Sequence, residues 1–261
     1  MKQTHLHPES KLPEVAEYWN VHIHDLELAK HPVGTLGFFE DLAEYRFDKL
    51  HYLPKIVNFS AYKNASVLEI GCGAAIDGVR FAENGADYTG IDLSQTAVDL
   101  AKKNFAARKL SGKFEVMNGE AMSFKDRSFD VVYAHGVLQY TANPYQMVKE
   151  AHRVLKPGGT FICMVYNRHG WLNLMSKFFK VDLEHEDAPV LEKYTIRELK
   201  DLLSEFDSYK IVPERFPVKS RLHGGAKGFL FNTLFVGVFN AIPRPLVKRW
   251  GWHLMGFGYK R

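Results

Sequence analysis

The chain has 261 residues, of which 46% are hydrophobic, so it is long and apolar enough for one large domain with an extensive core. The net charge is only +4, whereas a nucleic-acid-binding protein typically carries a dense basic stripe, so no nucleic-acid partner is expected. Cys72 and Cys163, the two cysteines, lie far apart and support neither a disulfide framework nor a zinc site.

The first 60 residues predict a helical cap that precedes the main domain. Apolar residues recur at helical spacing from about residue 13 to 28 and from about residue 36 to 57, with a proline and glycine cluster between the two stretches. The first eight residues lack the apolar region of a signal peptide, which predicts a cytoplasmic location.

Three histidines of this cap are close in sequence, at His22, His24 and His31. A metal site would need a carboxylate or cysteine at matching ligand spacing, and none is found here. No metal is therefore expected.

A glycine turn after an apolar strand is the most informative segment of the chain. Residues 67–70 predict a buried strand, and Gly71 and Gly73 would let the backbone approach a ligand closely. The next predicted strand ends at Asp92, about 20 residues beyond the first glycine, where an acidic side chain meets ribose hydroxyls. This pattern predicts a nucleoside site.

The turn departs from the dinucleotide pattern G-x-G-x-x-G. The third glycine would fall at Ile76, and Glu69 stands two residues before Gly71, where a carboxylate suits a cation better than a pyrophosphate. An NAD-dependent oxidoreductase is thus disfavoured, but it stays open as an alternative. A non-catalytic assembly protein with the same fold is the other alternative.

The stretch Glu69–Gly73 resembles the first motif of class I S-adenosylmethionine-dependent methyltransferases, in particular their small-molecule group called methyltransferase type 11. Three later segments, at Met117–Phe124, Ser128–Tyr140 and Glu150–Phe161, resemble further motifs of the family in the same order. Ala75 is one departure, because the family usually has a third glycine there. The resemblance covers residues 67–166 well and the flanking parts only in general plan.

The regular alternation of strands and helices from residue 67 onward predicts an α/β fold with a mostly parallel sheet. The resemblance implies a doubly wound, Rossmann-like sheet of seven strands. Its last strand, expected at residues 253–259, would insert antiparallel between the fifth and the sixth. Residues 61–261 are expected to form this core, with an insertion at about 218–250 that contributes to the substrate region.

The resemblance also implies a set of site residues and the cofactor S-adenosylmethionine. Glu69 and the glycines would hold the methionine end, Asp92 the ribose, and the segment at Glu120 the adenine. The residues expected at the cofactor are Glu69, Gly71, Cys72, Gly73, Asp92, Leu93, Glu120, Ala121 and His135.

His135 is the candidate catalytic residue, because the loop after the fourth strand faces the transferred methyl group in the family. It would act as a base, or it would contact the backbone or cofactor without proton transfer. Arg168 would either pair with an acidic group of the acceptor or be a solvated loop charge. The residues expected at the substrate are Tyr18, Tyr140, Tyr166, Asn167 and Arg168.

Residues 228–243 form an unusually apolar segment. It is shorter than the roughly 20 residues of a membrane-spanning helix. It would be either a buried helix that roofs the substrate pocket or an interfacial helix that gives the protein peripheral contact with a membrane. Both interpretations favour a small, fairly apolar methyl acceptor. The identity of the acceptor and the oligomeric state are left open.

Overall fold

The computed structural model describes residues 11–22, 28–179, 183, 185–217, 229, 233, 236–243 and 247–261. Within these residues one seven-stranded sheet organises the fold, in the order β3-β2-β1-β4-β5-β7-β6. The strands are β1 (Ser66–Ile70), β2 (Asp87–Asp92), β3 (Lys113–Val116), β4 (Phe129–His135), β5 (Leu155–Tyr166), β6 (Ser208–Glu214) and β7 (His253–Tyr259).

Strands β1 to β5 pair in parallel, and β7 is antiparallel to both of its neighbours, β5 and β6. The predicted α/β class, the number of strands and the inserted last strand are therefore confirmed. In such sheets ligands bind beyond the carboxyl ends of the parallel strands, where the strand order reverses. Here that point lies between β1 and β4.

Eight α-helices that the structure describes connect or precede the strands, and a further helix of six residues spans Val236–Ala241. They are α1 (Lys11–Val21), α2 (Leu36–Lys49), α3 (Leu53–Ile56), α4 (Ile76–Glu83), α5 (Gln95–Ala107), α6 (Pro144–Val154), α7 (Trp171–Phe179) and α8 (Ile196–Leu202). Apolar side chains of both sheet faces are buried in two large clusters, so helices cover the sheet on both sides.

Two helix starts follow the capping signals of the sequence. The Ser94 side chain accepts a hydrogen bond from the backbone of Ala97 at the start of α5. Thr195 and Glu198 form a reciprocal capping box at the start of α8.

Two elements differ from their predicted bounds. The expected helix over residues 36–57 is divided into α2 and α3, because Pro54 cannot donate the backbone hydrogen bond that a continuous helix needs. Strand β5 begins at Leu155 rather than near residue 160. The turn at Gly158, which has a φ of +82°, loops out of the pairing between β5 and β4.

Most of the 218–250 insertion lies outside the described residues, and so does much of the apolar segment 228–243. The choice between a buried roof and an interfacial helix therefore stays a prediction. None of the helices within the described residues has the length and apolarity needed to cross a membrane.

Candidate active site

A large cavity opens at the carboxyl ends of β1, β2 and β4, under the N-terminal helices. Its walls include the glycine turn, the ends of the three strands and apolar side chains of α1. The predicted cofactor residues that line it are Glu69, Gly71, Cys72, Gly73, Asp92, Leu93, Glu120 and His135.

The glycine turn that follows β1 shapes one wall of the cavity. Gly71 has a φ of +66°, and a Cβ there would lie 2.5 Å from a methyl carbon of Val137. Gly73 has a φ of +52°, and a Cβ there would meet no described atom within 4 Å. Ala75 is also left-handed, at a φ of +54°, which explains in physical terms why a third glycine would suit this position.

Asp92 lies at the end of β2 and faces the cavity. Its carboxylate accepts hydrogen bonds from the backbone amides of Gly73, at 2.9 Å, and Ser94, at 3.0 Å. Burial raises the pKa of Asp92, and these two hydrogen bonds act in the opposite direction. A carboxylate held in this way can accept hydrogen bonds from ligand hydroxyls, as a ribose-binding acid must.

Glu69 is buried at 4% exposure beside the same turn. The Tyr88 hydroxyl donates a 2.5 Å hydrogen bond to its carboxylate. Burial raises the pKa of Glu69 well above its ordinary value, and the nearby charge of Asp77 adds to the effect. A positively charged ligand group in the cavity would offset both effects.

An ion pair between a buried aspartate and a partly buried arginine joins the helical cap to the main domain. Arg46 of α2 forms a two-pronged pair with Asp77 of α4, with 2.6 Å between Nε and one carboxylate oxygen. The Tyr133 hydroxyl of β4 donates a further 2.7 Å hydrogen bond to Asp77. Burial would raise the pKa of Asp77, but the charge and hydrogen bonds of Arg46 outweigh it, and the pKa is lowered.

The same arginine fixes the orientation of His135. An Nη atom of Arg46 lies 3.2 Å from His135 Nδ1, and because a guanidinium can only donate, Nδ1 accepts. Burial, followed by the Arg46 charge, lowers the pKa of His135 to about 3, so the ring is neutral. The proton must therefore be on Nε2. This buried Nε2 has no hydrogen-bond partner among the described residues.

A second histidine lies behind His135, with 6.0 Å between the ring centroids. Arg215 Nη1 is 3.0 Å from Nε2 of His253, and Tyr52 Oη is 2.5 Å from its Nδ1. The guanidinium again fixes the tautomer, so Nδ1 of His253 donates to Tyr52. Burial and the charge of Arg215 lower the pKa of His253 well below its ordinary value.

The segment expected to bind adenine divides into two parts. Glu120 is buried at the cavity and accepts a 3.1 Å hydrogen bond from the backbone of Asn143. Ala121 is exposed, does not line the cavity, and its amide donates to the carbonyl of Asn118. Asn118 and Gly119 line the cavity where Ala121 was expected.

Among the expected substrate residues, Tyr140 lines the main cavity. Tyr18 lies outside the lining, and its hydroxyl donates to Asp187 at 2.8 Å. Tyr166 lies on the far side of Tyr140, with 3.4 Å between the two hydroxyls.

The other two expected substrate residues have structural partners outside the lining of the main cavity. The Asn167 amide donates to the backbone carbonyls of Arg249 and Gly251. Arg168 pairs with Glu198 at 2.9 Å and donates to the carbonyl of Lys193. The Arg168 side chain is 40% exposed and lies outside the lining of the main cavity.

Arg46, Trp19 and Asp77 line the cavity but are not among the site residues expected from the sequence. Arg46 and Trp19 come from cap helices, whose packing against the sheet no local pattern predicts. Asp77 carried a usable signal, because a carboxylate in the first turn of the helix after a glycine turn lies at the cavity edge. Over the part of the chain that the structure describes, no group of three or more His, Cys, Asp or Glu side chains could hold a metal ion.

Comparison with known proteins agrees with this geometry. Residues 68–163 match the family model described as a methyltransferase domain. In this part the chain resembles the class I S-adenosylmethionine-dependent methyltransferases. The matched part begins in β1, includes the glycine turn and β4, and ends within β5.

Two curated relatives show similarity to part of the chain. A ubiquinone biosynthesis O-methyltransferase of Coxiella burnetii is 28% identical over 107 residues, which are 41% of this chain and 46% of the relative. A sterol 4-C-methyltransferase of Caenorhabditis elegans is 35% identical over 102 residues, which are 38% of this chain and 30% of the relative. The chain thus spans half or less of the length of these relatives.

Among solved structures, an S-adenosylmethionine-dependent methyltransferase of Thermotoga maritima has the same fold. Its TM-score is 0.54 at 21% sequence identity, and the match covers 86% of this chain and 98% of that protein. At this identity the likeness concerns the fold alone.

The residues around the cavity fit the cofactor of this family. The glycine turn leaves open space at Gly73, and Asp92 offers a hydrogen-bond acceptor. His135 adds a buried donor without a described partner. The ribose hydroxyls of S-adenosylmethionine can donate hydrogen bonds to Asp92, and its carboxylate can accept one from His135. Its positive charge suits the buried carboxylate of Glu69.

Proposed function

We propose that this protein binds S-adenosylmethionine in the main cavity and transfers its methyl group to a small, fairly apolar molecule. The observation that carries the proposal is the joint placement of the glycine turn, Asp92 and His135 around one cavity, with Nε2 of His135 lacking a partner among the described residues. A methyltransferase domain model matches the same part of the chain.

Each residue has a distinct role in this proposal. Asp92 accepts hydrogen bonds from the ribose, and Glu69 lies toward the positively charged methionine end. The open space at Gly73 leaves room for the cofactor beside the main chain. When bound, S-adenosylmethionine supplies a methyl group already activated by its sulfonium, so the protein mainly aligns the acceptor and excludes water.

His135 acts in this proposal as a hydrogen-bond donor rather than as a base. Its Nδ1 accepts from Arg46, its Nε2 carries the proton, and a pKa of about 3 makes it a weak proton acceptor. Nε2–H is suited to bind an oxygen of the cofactor or of the methyl acceptor.

The two alternatives lack comparable support. A pyrophosphate would meet the branched side chain of Ile76, which lines the cavity where the dinucleotide pattern has glycine. A non-catalytic assembly protein would bind the cofactor without turnover. Cytoplasmic location and peripheral membrane contact also stay predictions.

Transfer of a labelled methyl group tests the proposal. The protein is incubated with S-adenosylmethionine that carries a trideuterated methyl group and with a small-molecule extract, and mass spectrometry detects new labelled products. We expect at least one labelled product with the wild type, and at least tenfold less with Asp92→Asn, because the variant weakens a charge-assisted hydrogen bond. Asp99→Asn, at an exposed position on α5, is the matched control and should keep the product. Cofactor binding without any labelled product would support the non-catalytic alternative instead.

A further inference from the structure

The end of β4 and the turn after it, residues 135–139, contain an unusual set of polar atoms. Within the described residues, three buried side-chain nitrogen or oxygen atoms have no hydrogen-bond partner, and all three belong to this short stretch. They are Nε2 of His135 and both Nε2 and Oε1 of Gln139, whose side chain is fully buried. A buried polar group without a partner costs free energy, so proteins rarely keep one without a reason.

Two other buried amide side chains show how this fold usually satisfies such groups. Asn104 is also fully buried, and its Nδ2 donates to the carbonyl of Ala74 at 2.8 Å while its Oδ1 accepts from Arg108 at 3.0 Å. The Asn167 amide donates to two backbone carbonyls, and its oxygen accepts from the backbone of His169. Gln139 differs from both, because neither end of its amide is paired within the protein.

Gln139 lies next to the main cavity. It belongs to a short 3-10 turn, Leu138–Tyr140, and both Gly136 before it and Tyr140 after it line the cavity. A Cβ on Gly136 would lie 3.7 Å from Nε2 of Gln139. The unpaired amide therefore packs against a residue of the cavity wall.

The backbone around Gln139 is held in place by a neighbouring segment of the chain. The carbonyl of Gln139 accepts a 2.7 Å hydrogen bond from the backbone amide of Glu192. The Tyr194 hydroxyl donates to the carbonyl of Leu138 at 3.2 Å. A ligand would thus meet a side chain on a fixed turn, which favours selective recognition.

We propose that Gln139 selects the methyl acceptor by hydrogen-bonding to an uncharged hydroxyl group of that molecule. The amide donates from Nε2 and accepts at Oε1, and a hydroxyl can use one of each. His135 offers a further donor four residues away, because its ring is neutral and carries the proton on Nε2. The Gln139 side chain turns toward the cavity when the acceptor binds. The inference rests on the proposed methyl transfer for its identification of the ligand as the acceptor.

The preference for a hydroxyl is measured without turnover. The protein is saturated with S-adenosylhomocysteine, and ligand-observed NMR measures its affinity for 4-methylphenol and for p-xylene, which has a methyl group in place of the hydroxyl. We expect 4-methylphenol to bind about tenfold or more tightly, because p-xylene leaves the buried amide unpaired. Equal binding of the two compounds, or binding of neither, overturns the inference.

A substitution assigns the preference to Gln139. Gln139→Met keeps the approximate length of the side chain and removes the amide, so the preference for 4-methylphenol over p-xylene should fall about fivefold or more. Gln95→Met, at an exposed glutamine on α5, is the control and should keep the preference of the wild type. An unchanged preference in Gln139→Met would contradict the assignment.

Protein stability separates an amide that binds a ligand from one that supports the fold. Because the Gln139 amide has no partner among the described residues, Gln139→Met and Gln139→Leu should leave the midpoint of urea unfolding unchanged or raise it. Asn104→Leu removes a fully paired amide and should lower the midpoint. If both Gln139 variants lower it as much as Asn104→Leu does, the amide has a structural role and the inference is overturned.

Binding of S-adenosylhomocysteine is recorded in the same samples. Its presence without a preference for the hydroxyl rejects the inference alone, whereas its absence rejects the proposed function.

Discussion

At the scale of single residues, Arg46 of α2 connects the cap to two other parts of the site, helix α4 and the end of strand β4. It pairs with Asp77, which is buried at 1% exposure, and it holds His135 in one tautomer. Because Asp77 also accepts from Tyr133, its carboxylate has several donors. The pairing of Arg46, Asp77 and Tyr133 explains how a charge can be buried next to a cavity. Within this network, Nε2 of His135 is the buried polar atom that has no partner among the described residues.

The Arg46–Asp77 pair should be costly to break from one side. Arg46→Met leaves the Asp77 charge buried without its partner, and we expect the free energy of unfolding to fall by about 3–5 kcal/mol. The double variant Arg46→Met/Asp77→Asn removes that charge and should recover at least about 1 kcal/mol of the loss. Urea denaturation of the wild type, both single variants and the double variant measures the difference.

Arg80→Met is the control for these variants, because it also replaces an arginine by methionine but at an exposed position on α4. The Arg80 guanidinium lies over the Phe47 ring. It should change stability by about 0.5 kcal/mol or less. If the double variant is as unstable as the sum of the single variants, the two side chains are not coupled and the network is misassigned.

The neutral state of His135 predicts how stability depends on pH. Its pKa is about 3 in the folded protein, below the ordinary value of about 6.5, so the unfolded chain takes up the proton first. The neutral His135 ring therefore makes its full contribution to the free energy of unfolding above about pH 6.5. This contribution is lost as the pH falls from about 6.5 toward 3. When the pH is lowered from 7.5 to 5, the free energy of unfolding should fall by on the order of 1 kcal/mol more in the wild type than in His135→Gln.

The exposed residue His51 provides the comparison for this pH dependence, through His51→Gln. Urea denaturation at the two pH values should give this variant the same loss of stability as the wild type. An equal loss in His135→Gln would show that His135 is not buried as a neutral ring.

At the scale of elements, α1 closes the main cavity. Leu12, Val15 and Trp19 of this helix line it, and the Trp19 ring meets Tyr140 edge-on at 4.9 Å. Asn20 anchors the helix to the start of α5 by accepting a 2.9 Å hydrogen bond from Ser94. The helix thus lines the same cavity as the glycine turn. In the proposed function it would shield the reacting groups from water.

Removal of one aromatic wall tests this role of α1. Trp19→Ala should weaken binding of S-adenosylhomocysteine about tenfold, because it removes a large apolar contact and admits water to the cavity. Isothermal titration calorimetry measures the affinity, with Glu17→Ala on the exposed face of the same helix as the control. Unchanged affinity in Trp19→Ala would mean that the cap does not contribute to cofactor binding.

Local patterns in the sequence were sufficient for the glycine turn and the capping box of α8, whereas the antiparallel insertion of β7 was expected from the family resemblance. Glycines, capping residues and alternating elements act through the backbone near them, so their effect is visible in the sequence. The Arg46–Asp77 pair was missed because its partners are 31 residues apart and meet only when α2 packs on α4. Arg168 was expected at the substrate for its charge and position, whereas packing brings it to Glu198.

At the scale of the whole molecule, the parallel sheet brings distant residues to one edge. Glu69, Asp92 and His135 lie at or near the ends of β1, β2 and β4, and the order of these strands makes them neighbours. The family match covers this central part, while the cap helices α1 to α3 lie outside it. The shared domain therefore accounts for the cofactor, and the surrounding parts, together with Gln139, would determine the acceptor.

Calorimetric titration with S-adenosylmethionine tests the central claim most directly. The wild type should bind this cofactor, Asp92→Asn should bind it at least tenfold more weakly, and NAD should neither bind tightly nor compete. The account is contradicted if the wild type shows no binding of S-adenosylmethionine, or if NAD binds tightly in its place.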